Sequence, residues 1–253
     1  MLQKLIAFCL LLISSVAWAE GTTSLTTGFD YSSGKFGGTT STNILYIPVI
    51  GRYQTDDYYL RLTVPYLSIS SVGTVIRGVG TVRKPRTVTS TEIITQSGLG
   101  DVTTSAGYTV FETDELMVDL VGGIKFGTAD ASKNLGTGEN DYSSQLDGFY
   151  TIRKTTLFAT AGYRVIGVPA GLNLRNVAYG TLGFSQKTSD KTSAGVTLDT
   201  AQSINAINPS SRELSFFISN KLNKTSKIQA SFLKGLSDNS PDFGFSMMIT
   251  GTI

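Results

Sequence analysis

The sequence predicts an all-β fold: a transmembrane, antiparallel, up-and-down β-barrel, with twelve strands as the expected count and fourteen as the alternative. Three observations predict it. Residues 1–19 are laid out like a secretory signal peptide, no later stretch is apolar for long enough to span a bilayer as a helix, and short segments of alternating apolar and polar residues fill the rest. Within lipid every backbone N–H and C=O needs a partner, and only helices and closed barrels supply them all. An exported chain that alternates at period two and lacks a spanning helix is expected in the bacterial outer membrane.

The signal reads from its parts. Lys4 gives a charged start, Ile6 to Ile13 supplies the apolar stretch, and Ala17-Trp18-Ala19 has the small-x-small form that signal peptidase cleaves. That stretch falls short of the ~20 residues a membrane-spanning helix needs. The expected mature barrel domain is residues 20–253. The one cysteine, Cys9, lies in the signal behind bulky Phe8, so it is a poor lipidation site and leaves no internal disulfide.

Composition narrows the function. Loss of Lys4 takes the net charge from +2 to +1, which argues against a nucleic-acid partner, since such partners need a concentrated basic surface. Charged residues make up 16% of the chain, below the ~25% usual in soluble domains. There is no histidine, so serine-based acyl transfer of the usual kind has no base. The same absence, with no mature cysteine, leaves no ordinary zinc or haem ligand set. No enzyme, cofactor or metal is expected.

Alternation then sets the strands. Leu25, Thr27, Phe29 and Tyr31 share a face, continued on the next strand by Leu45, Ile47, Val49 and Tyr53. Tyr58, Leu60, Leu62, Val64 and Tyr66 alternate strictly, with Arg61 and Thr63 opposite. Further strands are expected over 102–111, 116–126, 142–152, 157–165, 176–186, 192–200, 213–222, 226–235 and 243–253. In 176–186 the phase stays open, because Val177 and Tyr179 compete with Ala178, Leu182 and Phe184 for the outer face. Connections near residues 54, 112, 153, 188 and 223 are short. Those near 33, 70, 128, 167, 202 and 237 are longer and rich in Gly, Ser, Asn and Thr. Outer-membrane barrels turn tightly in the periplasm and carry long loops outside.

Aromatic residues mark both ends. Tyr53, Tyr58, Tyr108, Phe111, Tyr150 and Phe184 fall near the periplasmic ends, and Tyr31, Tyr66, Phe126, Tyr142 and Tyr163 near the outer ends, as two headgroup-level belts require. With the apolar face outward, Asp30, Arg52, Gln145, Asp199, Glu213, Lys221 and Gln229 point to the lumen. So do Arg61, Asp119, Lys125, Asp147 and Arg164, the residues expected to line a solute path and tune its selectivity. Eight-strand barrels can be filled by side chains alone, whereas a twelve-strand barrel is wider. The long connection from Ser70 to Gln96 carries Arg77, Arg83, Lys84 and Arg86. It is expected as an outer hairpin or constriction loop, and extra strands there would give the count of fourteen.

Two weaker patterns resolve as turns. Asp130, Ser132 and Asn134 alternate like the start of a calcium loop, but Leu135 stands where glycine is needed and Asp141 where glutamate is needed. Asn223-Lys224-Thr225 has the form of a glycosylation acceptor in a short turn.

Ser97 to Phe111, SGLGDVTTSAGYTVF, resembles the Gly-Leu-Gly-Asp strand opening of the outer-membrane family of the MetA pathway of phenol degradation. Lys125 to Tyr142, KFGTADASKNLGTGENDY, is similar to the following strand end and glycine-rich loop of that family, with Gly127 where proline is common. The resemblance implies a monomeric twelve-stranded barrel that transports aromatic or other hydrophobic small molecules, and it carries no catalytic set. The expectation is therefore a channel for passive passage of small solutes, hydrophobic or aromatic ones among them, in contact with outer-membrane lipid and lipopolysaccharide. The rival expectation is a structural or surface-interaction barrel whose outer loops bind a partner, with Arg77 to Arg86 meeting lipopolysaccharide phosphates.

Overall fold

The computed structural model describes residues 21–36, 38, 40–72, 75–76, 80–81, 92–205 and 209–253. The expected signal, residues 1–19, and Arg77, Arg83, Lys84 and Arg86 lie outside the described residues. Twelve antiparallel strands close into a barrel. They are β1 (Thr22–Gly34), β2 (Thr42–Gln54), β3 (Tyr58–Ser71), β4 in two segments (Ile94–Leu99 and Thr103–Glu112), β5 (Leu116–Lys125) and β6 (Asp141–Ile152). The circuit continues with β7 (Thr155–Val165), β8 (Val177–Lys187), β9 (Thr192–Ala201), β10 (Ser211–Lys221), β11 (Ser226–Gly235) and β12 (Phe243–Thr252). Each strand pairs with its chain neighbours, and β1 closes on β12 from Ser24↔Thr252 to Ser33↔Phe243.

The apolar face is outside. Leu60, Leu120, Leu146, Leu182, Phe216 and Phe232 are all exposed on the outer wall, which suits a surface solvated by lipid chains. The aromatics follow: Tyr58, Tyr108 and Tyr150 stand exposed near the short turns, and Tyr66, Tyr142 and Tyr163 near the long loops. Leu182 and Phe184 are outward while Val177 is buried, which settles the phase of β8.

Strand four differs from its expected start at Val102. It begins at Ile94, whose segment pairs with the outer end of β3 from Tyr66↔Leu99 to Ser71↔Ile94, and it resumes at Thr103↔Thr63. Three residues, Gly100 to Val102, therefore oppose two, Val64 and Pro65. The cause is Pro65, which has no N–H to give the ladder. Gly100 N donates to the Pro65 carbonyl at 2.9 Å and bridges the break. Pro48 lies directly opposite Pro65, and the β1–β2 ladder opens beside it between Thr27↔Val49 and Asp30↔Tyr46. Ser70, Ser71 and Ile94 to Gln96 thus belong to the barrel wall, and β3 pairs directly with β4, so the wall closes with twelve strands.

Candidate functional site

Register determines what faces the lumen. Asp119 lies directly opposite Asp147, Asp147 opposite Thr160, and Thr160 opposite Thr181. Thr181 in turn faces Asp199, and Asp199 faces Glu213. These residues form one inward polar arc across β5 to β10. Hydroxyls orient its carboxylates: Thr109 Oγ1 donates to Asp119 Oδ1 at 2.8 Å, Thr160 Oγ1 to Asp147 Oδ1 at 2.6 Å, and Thr181 Oγ1 to Asp199 Oδ1 at 2.6 Å. Gln145 Nε2 donates to both Asp147 oxygens, at 2.9 and 2.8 Å, and its Oε1 accepts from the Tyr179 hydroxyl at 2.7 Å. No cation of a described residue forms an ion pair with Asp119 or Asp147.

A cationic pair stands on the neighbouring wall. Arg52 and Arg61 are directly opposite each other across β2 and β3. Arg52 Nε donates to Gln54 Oε1 at 3.1 Å, and its guanidinium lies 4.0 Å over the Tyr59 ring. Arg61 is exposed, and neither arginine forms an ion pair among the described residues. Arg164 lies 5.5 Å over the Tyr179 ring.

Four inward aromatics lie on glycines. Tyr59 faces Gly107, Tyr179 faces Gly162, Phe158 faces Gly183 and Phe217 faces Gly195, each directly across a strand pair. A Cβ at Gly107 would stand 2.3 Å from Tyr59 Cε1, and one at Gly162 would stand 2.3 Å from Tyr179 Cζ. Glycine at these positions lets each ring lie against the wall instead of crossing the lumen. The arginines stacked on Tyr59 and Tyr179 inherit that placement.

At the outer mouth, residues 126–140 pack inward. Leu135 and Ala129 are buried with Phe36, Ile44, Leu67 and Ile69 in an apolar cluster, so the inner face of β2 and β3 is apolar near its outer end. The Gly-Leu-Gly-Asp stretch holds this connection. A Cβ at Gly98 would meet Leu135 Cδ1 at 3.0 Å. Asp101 accepts from Ala129 N at 3.0 Å and from Lys125 Nζ at 2.9 Å, while Asp141 lies 3.4 Å from the same ammonium. Within the connection Asp130 caps a short 3-10 helix, Ala131–Lys133, by accepting from Ser132 N at 2.9 Å. Its hydrogen bond from the Ser132 hydroxyl holds the carboxyl below the usual carboxylate range. Asp130, Ser132 and Asn134 are thus turn chemistry, and the described residues include no group of three or more His, Cys, Asp or Glu placed to hold a metal.

Of the sequence-predicted wall residues, Asp119 and Asp147 lie directly opposite each other, Arg61 stands beside Arg52 on the far side of β4, Arg164 joins the carboxylates through Tyr179 and Gln145, and Lys125 sits apart beneath the 126–140 connection. Sequence reasoning missed Tyr59 and the aromatic–glycine pairs. Alternation put Tyr59 on the polar face, but no local signal tells a ring lying on glycine from one crossing the lumen. It also missed the inward packing of Leu135.

No protein-family model matches the sequence, and no curated protein matches it. Solved structures share the fold. An outer membrane channel from Pseudomonas putida F1 superposes with a TM-score of 0.72 at 14% identity, covering 94% of this chain and 97% of that one. The NanC porin gives a TM-score of 0.58 at 10% identity, over 90% of this chain and 100% of its own. The KdgM porin, solved in complex with disordered oligogalacturonate, gives 0.56 at 9%, over 91% and 99%. The fold is that of outer-membrane channels and porins.

Proposed function

We propose that this protein is a monomeric outer-membrane channel through which small solutes cross passively, and that it belongs to the family of the MetA pathway of phenol degradation. In this reading residues 1–19 are removed on export, the outer wall contacts membrane lipid and the outer rim meets lipopolysaccharide. The observation that carries the reading is the inward set of unneutralised charges, Arg52 and Arg61 beside Asp119 and Asp147, inside a closed wall whose outer face is apolar. Charged side chains that face one another across water suit a hydrated path rather than a packed core. The motif resemblance supports hydrophobic or aromatic solutes. No catalytic residue set is part of this reading.

Single-channel recording of the folded barrel in a planar bilayer tests it. Stable conductance steps are expected, and Asp119→Lys or Arg61→Glu shifts the reversal potential in a salt gradient while heat-modifiable gel migration shows a folded barrel. A folded barrel that passes no current overturns the channel. Unchanged reversal potentials in both variants remove these residues from the path.

A further inference from the structure

We propose that the Arg52–Arg61 and Asp119–Asp147 pairs form a transit site for small zwitterions, solutes that carry a carboxylate and an ammonium a few atoms apart, as α-amino acids do. The proposal rests on the channel reading and names the solute class of that same lumen.

Like charges directly opposite across two strands destabilise a sheet. This wall holds two such pairs within five consecutive strands, one of each sign. The simplest relief would be ion pairing between them, yet no described arginine and carboxylate of the four come within the 4.0 Å ion-pair limit. They are nonetheless neighbours. Arg52 interacts electrostatically with Asp119, and the Tyr59 phenol with Arg52, Arg61, Asp119 and Asp147 alike. Between them the Tyr59 ring lies over Gly107, with Ser105, Val121 and Gly123 at the other inward positions of β4 and β5. The geometry thus sets guanidinium on one side of the Tyr59 ring and carboxylate on the other.

Each side is held ready. Arg52 is fixed by Gln54 and by its stack on Tyr59, and a guanidinium held so keeps a donor edge for a carboxylate with little order left to lose. Asp147 is half-buried and oriented by Gln145 and Thr160. Asp119 is 7% exposed and contributes through its charge beside Asp147. A solute of one sign meets attraction from one side and repulsion from the other. A zwitterion lying across the Tyr59 ring satisfies both, with its carboxylate on the arginines and its ammonium on Asp147.

Swelling of liposomes that contain the barrel, with L-alanine and its uncharged isomer lactamide as the two osmolytes, tests the proposal. Alanine is expected to enter faster than lactamide. Arg61→Gln and Asp147→Asn each bring the alanine-to-lactamide ratio down toward one, a loss of up to about tenfold, the order of one charge-assisted hydrogen bond. Lys154→Gln, in a remote turn, keeps the wild-type ratio. Equal wild-type rates for the two isomers, or a ratio that survives both substitutions, overturn the zwitterion site and leave the channel standing. If neither isomer enters a folded barrel, the channel reading itself fails. Calorimetric titration of alanine into the barrel in non-ionic detergent then decides the site, which stands only if binding is seen and Asp147→Asn abolishes it.

Discussion

At the scale of single residues, what keeps the lumen clear is the absence of side chains at four glycines. Tyr59 and Tyr179 are large, and only a bare Cα opposite lets each ring fold against the wall. Gly107→Val therefore collides with Tyr59 and drives the ring, with the Arg52 guanidinium stacked on it, toward the centre of the barrel. The expected result is a smaller single-channel conductance and a stability loss of about 1–3 kcal/mol, the usual cost of overpacking, read from denaturant unfolding of the folded barrel. Gly122→Val is the matched control, because nothing stands within 4 Å of a Cβ there, and it should change neither quantity. If Gly107→Val conducts like the parent, the ring does not border the path.

At the scale of elements, the Gly-Leu-Gly-Asp stretch is an anchoring device. Pro65 breaks the ladder, β4 steps around it by one residue, and the step leaves Asp101 turned toward Lys125 and the backbone of Ala129. Asp101→Asn removes the charge that meets Lys125 while keeping an oxygen for the Ala129 N–H. The 126–140 connection should then open more often, and trypsin should cut at exposed Lys133 about tenfold faster, the weight of a hydrogen bond to a charged partner. Unchanged cleavage would mean that the apolar seat of Leu135 holds the connection alone. The uneven legibility of the sequence has its reason in the same elements. Where one face is apolar and the other polar, as from Tyr58 to Val64, alternation gave both strand and phase. Where both faces are apolar, as from Ile44 to Ile50, it could not show that Ile44 is covered from inside by residues 126–140. The outer segment of β4, Thr95 to Gly98, is too polar and too rich in small residues to alternate visibly, so it read as loop. Of the site, the inward phase of Arg61, Asp119 and Asp147 followed from their strands. Their pairing depended on register between strands, which one strand's pattern does not contain.

At the scale of the whole molecule, the two ends of the barrel are built differently, and the difference fixes its orientation. The turns after β2, β4, β6, β8 and β10 are tight, with Thr55 N donating to the Tyr58 carbonyl at 2.9 Å and Thr113 N to the Leu116 carbonyl at 2.8 Å. The Asn223 side chain closes another by accepting from Thr225 N at 2.9 Å. Both described termini lie at this end, since Thr22 pairs with Gln54 and Thr252 with Ser24. The opposite end carries every long connection, including the ones seated over the lumen through Leu135 and through the buried cluster of Ile166, Val177 and Ile204. Outer-membrane barrels keep short turns in the periplasm and carry longer loops outside, so the tight-turn end lies inside. The sequence has a single cysteine, in the segment expected to be cleaved, which leaves the barrel free for single-cysteine labelling. Asn134→Cys should react with a membrane-impermeant maleimide on intact cells, and Lys154→Cys only after the outer membrane is permeabilised. The reverse pattern would invert the barrel, placing the Asp101–Lys125 anchor and the Leu135 seat at the periplasmic mouth, so that solutes would meet the Arg52–Arg61 wall before the 126–140 connection on their way in.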